Sequence, residues 1–316
     1  MNLTIIMNLS GAKAIELADK PLFNEYFKKF PPHISEFTFT NLFIWREHYE
    51  LLFKEYKNHL ILFSSEFLKK PEKPITDISD PLFFLPPIGP NPSEILIEII
   101  TSLDAVEFHR IPQNITDEIK KQIEKNDLEI DIFEDRANWD YVYDKEEILN
   151  LSGNKHRQNR RWLQKFLETY DHEFNLLTED WVEKSKELQL EWCIMRGCEE
   201  DEGLRDEQKA INEALNNFNE LDYKGAIICV EDKCVAYTFG EMLNSETLVI
   251  HIEKAHTQYE GSYQAINNLF LKNCCKDAKF VNREQDLGIS GLRRAKQSYK
   301  PIRMVEKSII YLKQSN

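Results

Sequence analysis

The sequence predicts an α/β protein of two domains, each a mixed, mostly antiparallel sheet flanked by helices. Three observations carry that reading. Residues 225–254 read as three strands joined by tight turns at Asp232-Lys233 and Asn244-Ser245. Behind this meander the order runs helix, strand, short helix, strand. The first half holds a similar mixture of strand and helix patterns, and 316 residues suffice for two ordinary domains.

The elements follow in order. Residues 13–29 carry a helical spacing of apolar residues that Pro21 breaks or restarts. "ISEFTFTNLFIWREHYE" is aromatic-rich and ambiguous in period, and its Phe37, Phe39, Phe43, Trp45 and Tyr49 are expected in a core or interface. "ELLFKEY" and "HLILFSS" flank Lys57-Asn58 as a hairpin. "PLFFLPPIGPNPSEILIEIITSL" reads as strand, turn and a helix capped near Ser93, and residues 105–135 as strand, helix, strand. "NWDYVYDKEEILNLSGN" is a strand and short helix, and the domain boundary is placed there, giving domains 1–145 and 146–316. "KHRQNRRWLQKFLETY" starts an amphipathic helix, with Trp162, Leu163, Phe166 and Leu167 apolar. Two more helices precede the meander. A helix from Ser262, a strand "KFVNREQDL", a helix "SGLRRAKQSY" and a final strand "RMVEKSIIYLK" complete the chain.

Composition excludes several classes. Apolar residues at 42% and aromatics at 11% supply cores, so disorder is not expected. No run approaches the roughly 18 apolar residues of a spanning helix. "MNLTIIMNLS" lacks a basic segment ahead of its apolar stretch, so a cytoplasmic location is expected. The six cysteines form no C-x-x-C pair and lie in the second half, which favours reduced thiols over zinc or disulfides. His251, Glu253 and His256 show no third regular ligand spacing, and no metal is expected. No nucleophile elbow, P-loop or dinucleotide fingerprint is present.

The formal charge of −14 argues against a broadly basic nucleic-acid surface. The cations nevertheless bunch. "KHRQNRRWLQK" (155–165) and "RRAKQSYKPIR" (293–303) each hold five Lys or Arg and no acid. Just before the second window stand Glu284, Asp286 and two glycines. On chemistry alone, Asp286 and Glu284 are candidates to hold or deprotonate an acceptor, on one strand face if the strand continues through them. His251 is a further candidate base. Lys155, Arg157, Arg160, Arg161, Arg293, Arg294 and Lys296 are candidates for an anionic substrate. The plain alternative is a pair of solvated helix faces.

Four stretches, "SEFTFTNLFIWREHY", "NWDYVYDKEEILNLSGNKHRQNRRWLQKFLETY", "GSYQAINNLF" and "NREQDLGISGLRRAKQSY", resemble the DUF2156 family, related to the C-terminal catalytic domain of phosphatidylglycerol lysyltransferases. The resemblance implies two GNAT-like (N-acetyltransferase-like) domains in tandem, akin to Fem-type peptidyltransferases. It implies transfer of an aminoacyl group from a charged tRNA to an amine or hydroxyl acceptor, a lipid headgroup among the acceptors of such enzymes. The membrane-embedded N-terminal part of the lipid-modifying enzymes has no counterpart in this sequence. Acyl-CoA is the alternative donor, through a loop of the form Q/R-x-x-G-x-G/A. Here Gln258, Gly261 and Tyr263 give Q-x-x-G-x-Y, and Tyr263 crowds the pyrophosphate approach. A third expectation is a binding protein that keeps the fold and has lost the chemistry.

Overall fold

The computed structural model describes residues 9–69, 80–103 and 105–312. In chain order the strands and α-helices of the first half are β1 (Lys13–Ala14), α1 (Lys20–Lys29), α2 (Phe39–Tyr49), β2 (Leu52–Tyr56), β3 (His59–Ser64), β4 (Leu82–Phe84), α3 (Pro92–Ser102), β5 (Val106–Pro112), α4 (Gln113–Asn126) and β6 (Ile130–Glu134). Then come β7 (Asp140–Asp144), α5 (Lys145–Asn150), α6 (Arg157–Thr169), β8 (His172–Leu176), α7 (Glu179–Arg196) and α8 (Glu202–Asn216). The rest are β9 (Lys224–Val230), β10 (Lys233–Met242), β11 (Thr247–Ala255), α9 (Ser262–Cys274), β12 (Phe280–Asn282), α10 (Ser290–Ser298), β13 (Arg303–Val305) and β14 (Lys307–Leu312).

Local chemistry explains most of these. Pro21 lies in the first turn of α1, where its missing N–H costs nothing, so the helix starts there instead of breaking. The ambiguous aromatic stretch becomes α2 because the Thr38 side chain accepts from the Asn41 N–H at 3.0 Å. The Lys57-Asn58 turn has positive φ at both residues, the geometry of a two-residue hairpin. The helix expected to be capped near Ser93 has Asn91 at its N-cap position, without a side-chain cap hydrogen bond. β8 was not expected from sequence; it adds to the edge of the meander, antiparallel to β9.

Two compact units result, Met1–Trp139 with Val305–Asn316, and Asp140–Met304. The first sheet runs β1-β2-β3-β4-β5-β14-β6, and the second β13-β7-β12-β11-β10-β9-β8. Two strands lie across the expected cut after residue 145: β7 belongs to the second sheet and β14 to the first. The stretch expected to be one final strand is thus two, β13 and β14, in different sheets. β14 is buried and finds both neighbours in the first unit, pairing antiparallel with β5 and β6.

Each unit has its own core. Ile61, Phe63, Phe84, Leu96, Phe108 and Ile310 anchor the first, and Tyr143, Phe166, Ile228, Ile250, Ile266 and Phe270 the second. Each such side chain contributes about 1.5–3 kcal/mol by leaving water. The cysteine expectation is corrected: Cys193 pairs with Cys198 and Cys229 with Cys234, with Cα separations of 5.0 and 3.9 Å, while Cys274 and Cys275 are free. A search for C-x-x-C overlooks them because both pairs are five residues apart. The turn ending α7 brings the first pair together, and the β9–β10 register sets Cys234 opposite Cys229.

Candidate active site

The second sheet opens at one place. β11 and β12 run parallel for three residues only, the last pair being Val249↔Asn282. Past it β11 continues to Ala255 and β12 ends. On the other side of β11 the pairing with β10 steps from Phe239↔Ile252 to Gly240↔Ile250, a bulge that leaves His251 without a cross-strand partner. A side chain at Gly240 would overlap the Val249 carbonyl oxygen, so the bulge needs glycine there. Next to it His251 and Glu253 of β11 contact Glu284 and Arg283, which follow β12.

The candidate acids do not share a face. β12 stops at Asn282 and Glu284 takes a left-handed φ of 56°, so the expected strand alternation is lost. Glu284 Oε1 meets His251 Nδ1 at 2.8 Å, and Glu241 Oε1 meets Nε2 at 3.0 Å. Burial alone would lower the imidazole pKa, but the hydrogen bonds and charges of Glu241 and Glu284 outweigh it and raise it to about 9. His251, the candidate base, is thus held between two carboxylates that favour its protonated form. Buried Asp286 takes both Arg293 Nε and Nη2, at 2.8 and 2.9 Å, along with the Tyr141 hydroxyl at 2.6 Å and the Gly288 N–H at 2.9 Å. Burial opposes its ionisation, yet these donors hold the carboxyl well below the usual carboxylate range. So strongly stabilised a carboxylate is a poor proton acceptor and a good anchor for α10. Arg293 is correspondingly occupied.

Sequence reasoning missed the centre of the site. Arg283 Nη2 binds Glu253 at 2.7 Å, and its guanidinium lies 4.6 Å from the Tyr299 ring and 5.9 Å from the Tyr143 ring. Arg283 Nη1 is buried with no hydrogen-bond partner among the described residues. Lys296 donates to the Arg283 carbonyl oxygen, and the Tyr143 hydroxyl donates to the Lys296 carbonyl oxygen at 2.8 Å. Burial of the ammonium pushes Lys296 down to about 8; Glu284 opposes the shift and Arg283 adds to it. Lys296 was among the candidates for an anionic substrate; Arg283, outside both basic windows, was not.

The two basic windows meet. The Asn159 side-chain amide of α6 donates to the Ser298 carbonyl and hydroxyl oxygens at the end of α10, at 3.2 and 3.3 Å. Some cations are spent locally: Lys155 on Glu147, Lys165 on Glu260, Arg160 on the Leu151 and Gly153 carbonyls. Arg157, Arg161, Arg294 and Lys300 are exposed and make no ion pair among the described residues. Both basic windows thus carry exposed cations on an otherwise acidic chain.

The coenzyme-type loop packs closely on its neighbours. Gly261 caps α9 with φ 91°, but a Cβ on it would overlap the Trp162 carbonyl oxygen and touch Phe166 at 3.0 Å. α6 therefore packs directly against Gly261 at the start of α9. Tyr263 is turned to accept from Trp192 Nε1 at 3.1 Å, and Gln258 is exposed. His256 lies 3.1 Å from Glu191, away from the His251 carboxylates, and the described residues hold no group of three or more metal-type ligands. No described helix is long and apolar enough to cross a membrane.

Comparison with known proteins places this geometry. The family model of the phosphatidylglycerol lysyltransferase C-terminal region matches residues 27–311. A conserved protein of unknown function from Bacteroides thetaiotaomicron has a crystal structure similar at TM-score 0.84 and 30% identity, over 96% of this chain and 99% of that one. L-PGS from Bacillus licheniformis matches at TM-score 0.63 and 14% identity, over 94% and 93%. FemX matches at TM-score 0.59 and 8% identity, over 96% and 97%. The last two likenesses show the fold.

Proposed function

Because the chain belongs to the phosphatidylglycerol lysyltransferase C-terminal family and carries its two GNAT-like units in tandem, we propose that its second unit is an aminoacyltransferase. The donor is a charged tRNA, and the acceptor is an amine or hydroxyl. The observation that carries this reading is the contact of α6 with α10 at Asn159–Ser298, which joins two basic windows whose Arg157, Arg161, Arg294 and Lys300 are exposed. The cations hold the phosphates of the donor's acceptor end. The acceptor's nucleophile attacks the aminoacyl ester carbonyl, so a new amide or ester bond forms as the bond to the ribose oxygen breaks.

The nucleophile's proton needs a base that is neutral near physiological pH, and the ribose oxygen needs a proton back. Lys296, pushed down to about 8, supports both steps from one position. Asp286 and Arg293 position α10, and with it Lys296. Glu284 and His251 position the β11 wall.

The test is a tRNA titration at two salt concentrations with transfer followed in parallel. Arg157→Ala and Arg294→Ala are each expected to weaken binding and lower the salt slope by about one. Lys296→Met is expected to leave tRNA affinity near parental while turnover falls at least about a hundredfold. Binding unaffected by either arginine change would refute the cationic surface. A second reading, a binding protein without chemistry, is favoured by the internal ion pairs that occupy Asp286, Glu253 and His251. It predicts the same tRNA titration with no transfer by the parent chain to any amine or hydroxyl acceptor.

A further inference from the structure

α6 turns one of its largest side chains outward. Asn159, Leu163 and Phe166 form its buried stripe. Sequence spacing expects Trp162 on that side with Phe166, but at about 100° per residue it stands roughly 70° from the middle of the stripe. There, at the rim of the buried side, it is partly exposed. Gln158, Arg161, Trp162 and Lys165 follow the i, i+3, i+4, i+7 spacing of one helix face, and Gln158, Arg161 and Lys165 are exposed.

The ring is reached from the solvent side. Lys165, whose side chain is 43% exposed, sets its ammonium 5.6 Å from the Trp162 ring centroid and pairs with Glu260. Because Glu260 already meets that charge, lifting the ammonium off the ring leaves no cation without its acid. Arg161 makes no ion pair among the described residues. One helix face thus offers an aromatic ring, a guanidinium and a side-chain amide together.

We propose that this face of α6 is a subsite for unpaired nucleotides of RNA, with Trp162 as the platform on which a base stacks. The inference rests on the charged-tRNA reading above, because the acceptor end of such a donor is a single strand. Arg161 holds the adjoining phosphate, and the Gln158 amide meets a base edge. Stacking on an aromatic ring tolerates any base, since each has a π-face. Paired RNA keeps its bases stacked on one another, so the platform serves unpaired nucleotides.

Two RNA hairpins with the same unpaired 3′ tail, one complete and one lacking the bases of the tail, separate stacking from phosphate binding. Both carry the same charge. The full chain is expected to bind the complete tail at least about tenfold more tightly, with equal salt slopes for the two. The complete tail is also expected to shift the indole N–H signal of Trp162 in the ¹⁵N-labelled chain, assigned with Trp162→Phe. Trp162→Ala is expected to erase the preference while circular dichroism stays unchanged, and Trp162→Tyr to keep most of it; Trp162→Leu replaces the alanine variant if that chain does not fold. Equal binding of the two hairpins, or a preference that survives in the folded alanine or leucine variant, overturns the stacking subsite and leaves the tRNA reading standing. Failure of both hairpins and of whole tRNA to bind overturns the two together.

Discussion

His251 sits between two carboxylates, so both ring nitrogens donate and the ring is held as a cation. A folded-state pKa raised to about 9 means its stabilisation is complete below the unfolded value near 6.5 and is lost as pH climbs through 9. Between pH 6 and 9.5 the unfolding free energy from urea titrations is expected to fall by roughly 3 kcal/mol more in the parent than in His251→Gln, the opposing titration of Lys296 being common to both. Asp286 behaves in the opposite sense: its depressed pKa contributes stability at neutral pH that disappears only in strong acid. Asp286→Asn breaks the two-pronged bond to Arg293; since that guanidinium side chain is 36% exposed, the expected cost is about 2 kcal/mol. An unchanged thermal midpoint in Asp286→Asn would contradict the anchoring role. These residues were visible as candidates, but their jobs were not. Sequence shows that a carboxylate and an arginine are seven apart; it does not show that they consume each other.

Among the elements, α6 and α10 were legible as cationic helices from their residue spacing alone, and their junction was not. Asn159 sits inside a polar run that reads like a solvated face, yet it is buried against Ser298. The loss of strand pattern after Asn282 was equally silent, because Glu284 carries no compositional mark of left-handed backbone. The β11 bulge left one trace, Gly240, whose meaning depends on the neighbouring strand. Packing of α6 on α9 through Gly261 gives a test at this scale. Gly261→Ala combines a strained φ with overlap on the Trp162 carbonyl, and a loss of about 2–4 kcal/mol in melting experiments is expected. Coenzyme A is expected to leave the melting temperature of the parent unmoved; a saturable rise would restore the pyrophosphate reading of that loop.

For the whole molecule, the two-domain α/β plan followed from strand and helix order, and the exchange of terminal strands did not. Hydrophobic period shows that "KSIIYL" is a buried strand but carries no record of which sheet receives it. Its placement bears on how the chain acquires its structure during synthesis. All of residues 140–304 leave the ribosome before β14 does, so the second unit has its full set of strands while the first still lacks the one between β5 and β6. The unit that begins first finishes last. Until residue 312 emerges, the β5 and β6 edges are open to other chains and Glu36 lacks the Lys307 ammonium. Stalled chains ending at residue 304 are expected to protect residues 140–304 from protease while cutting continues within the first unit, and equal protection of both would show that β14 is dispensable. A chain arranged this way leaves the edges of its first sheet exposed longest, until the strand that closes them arrives.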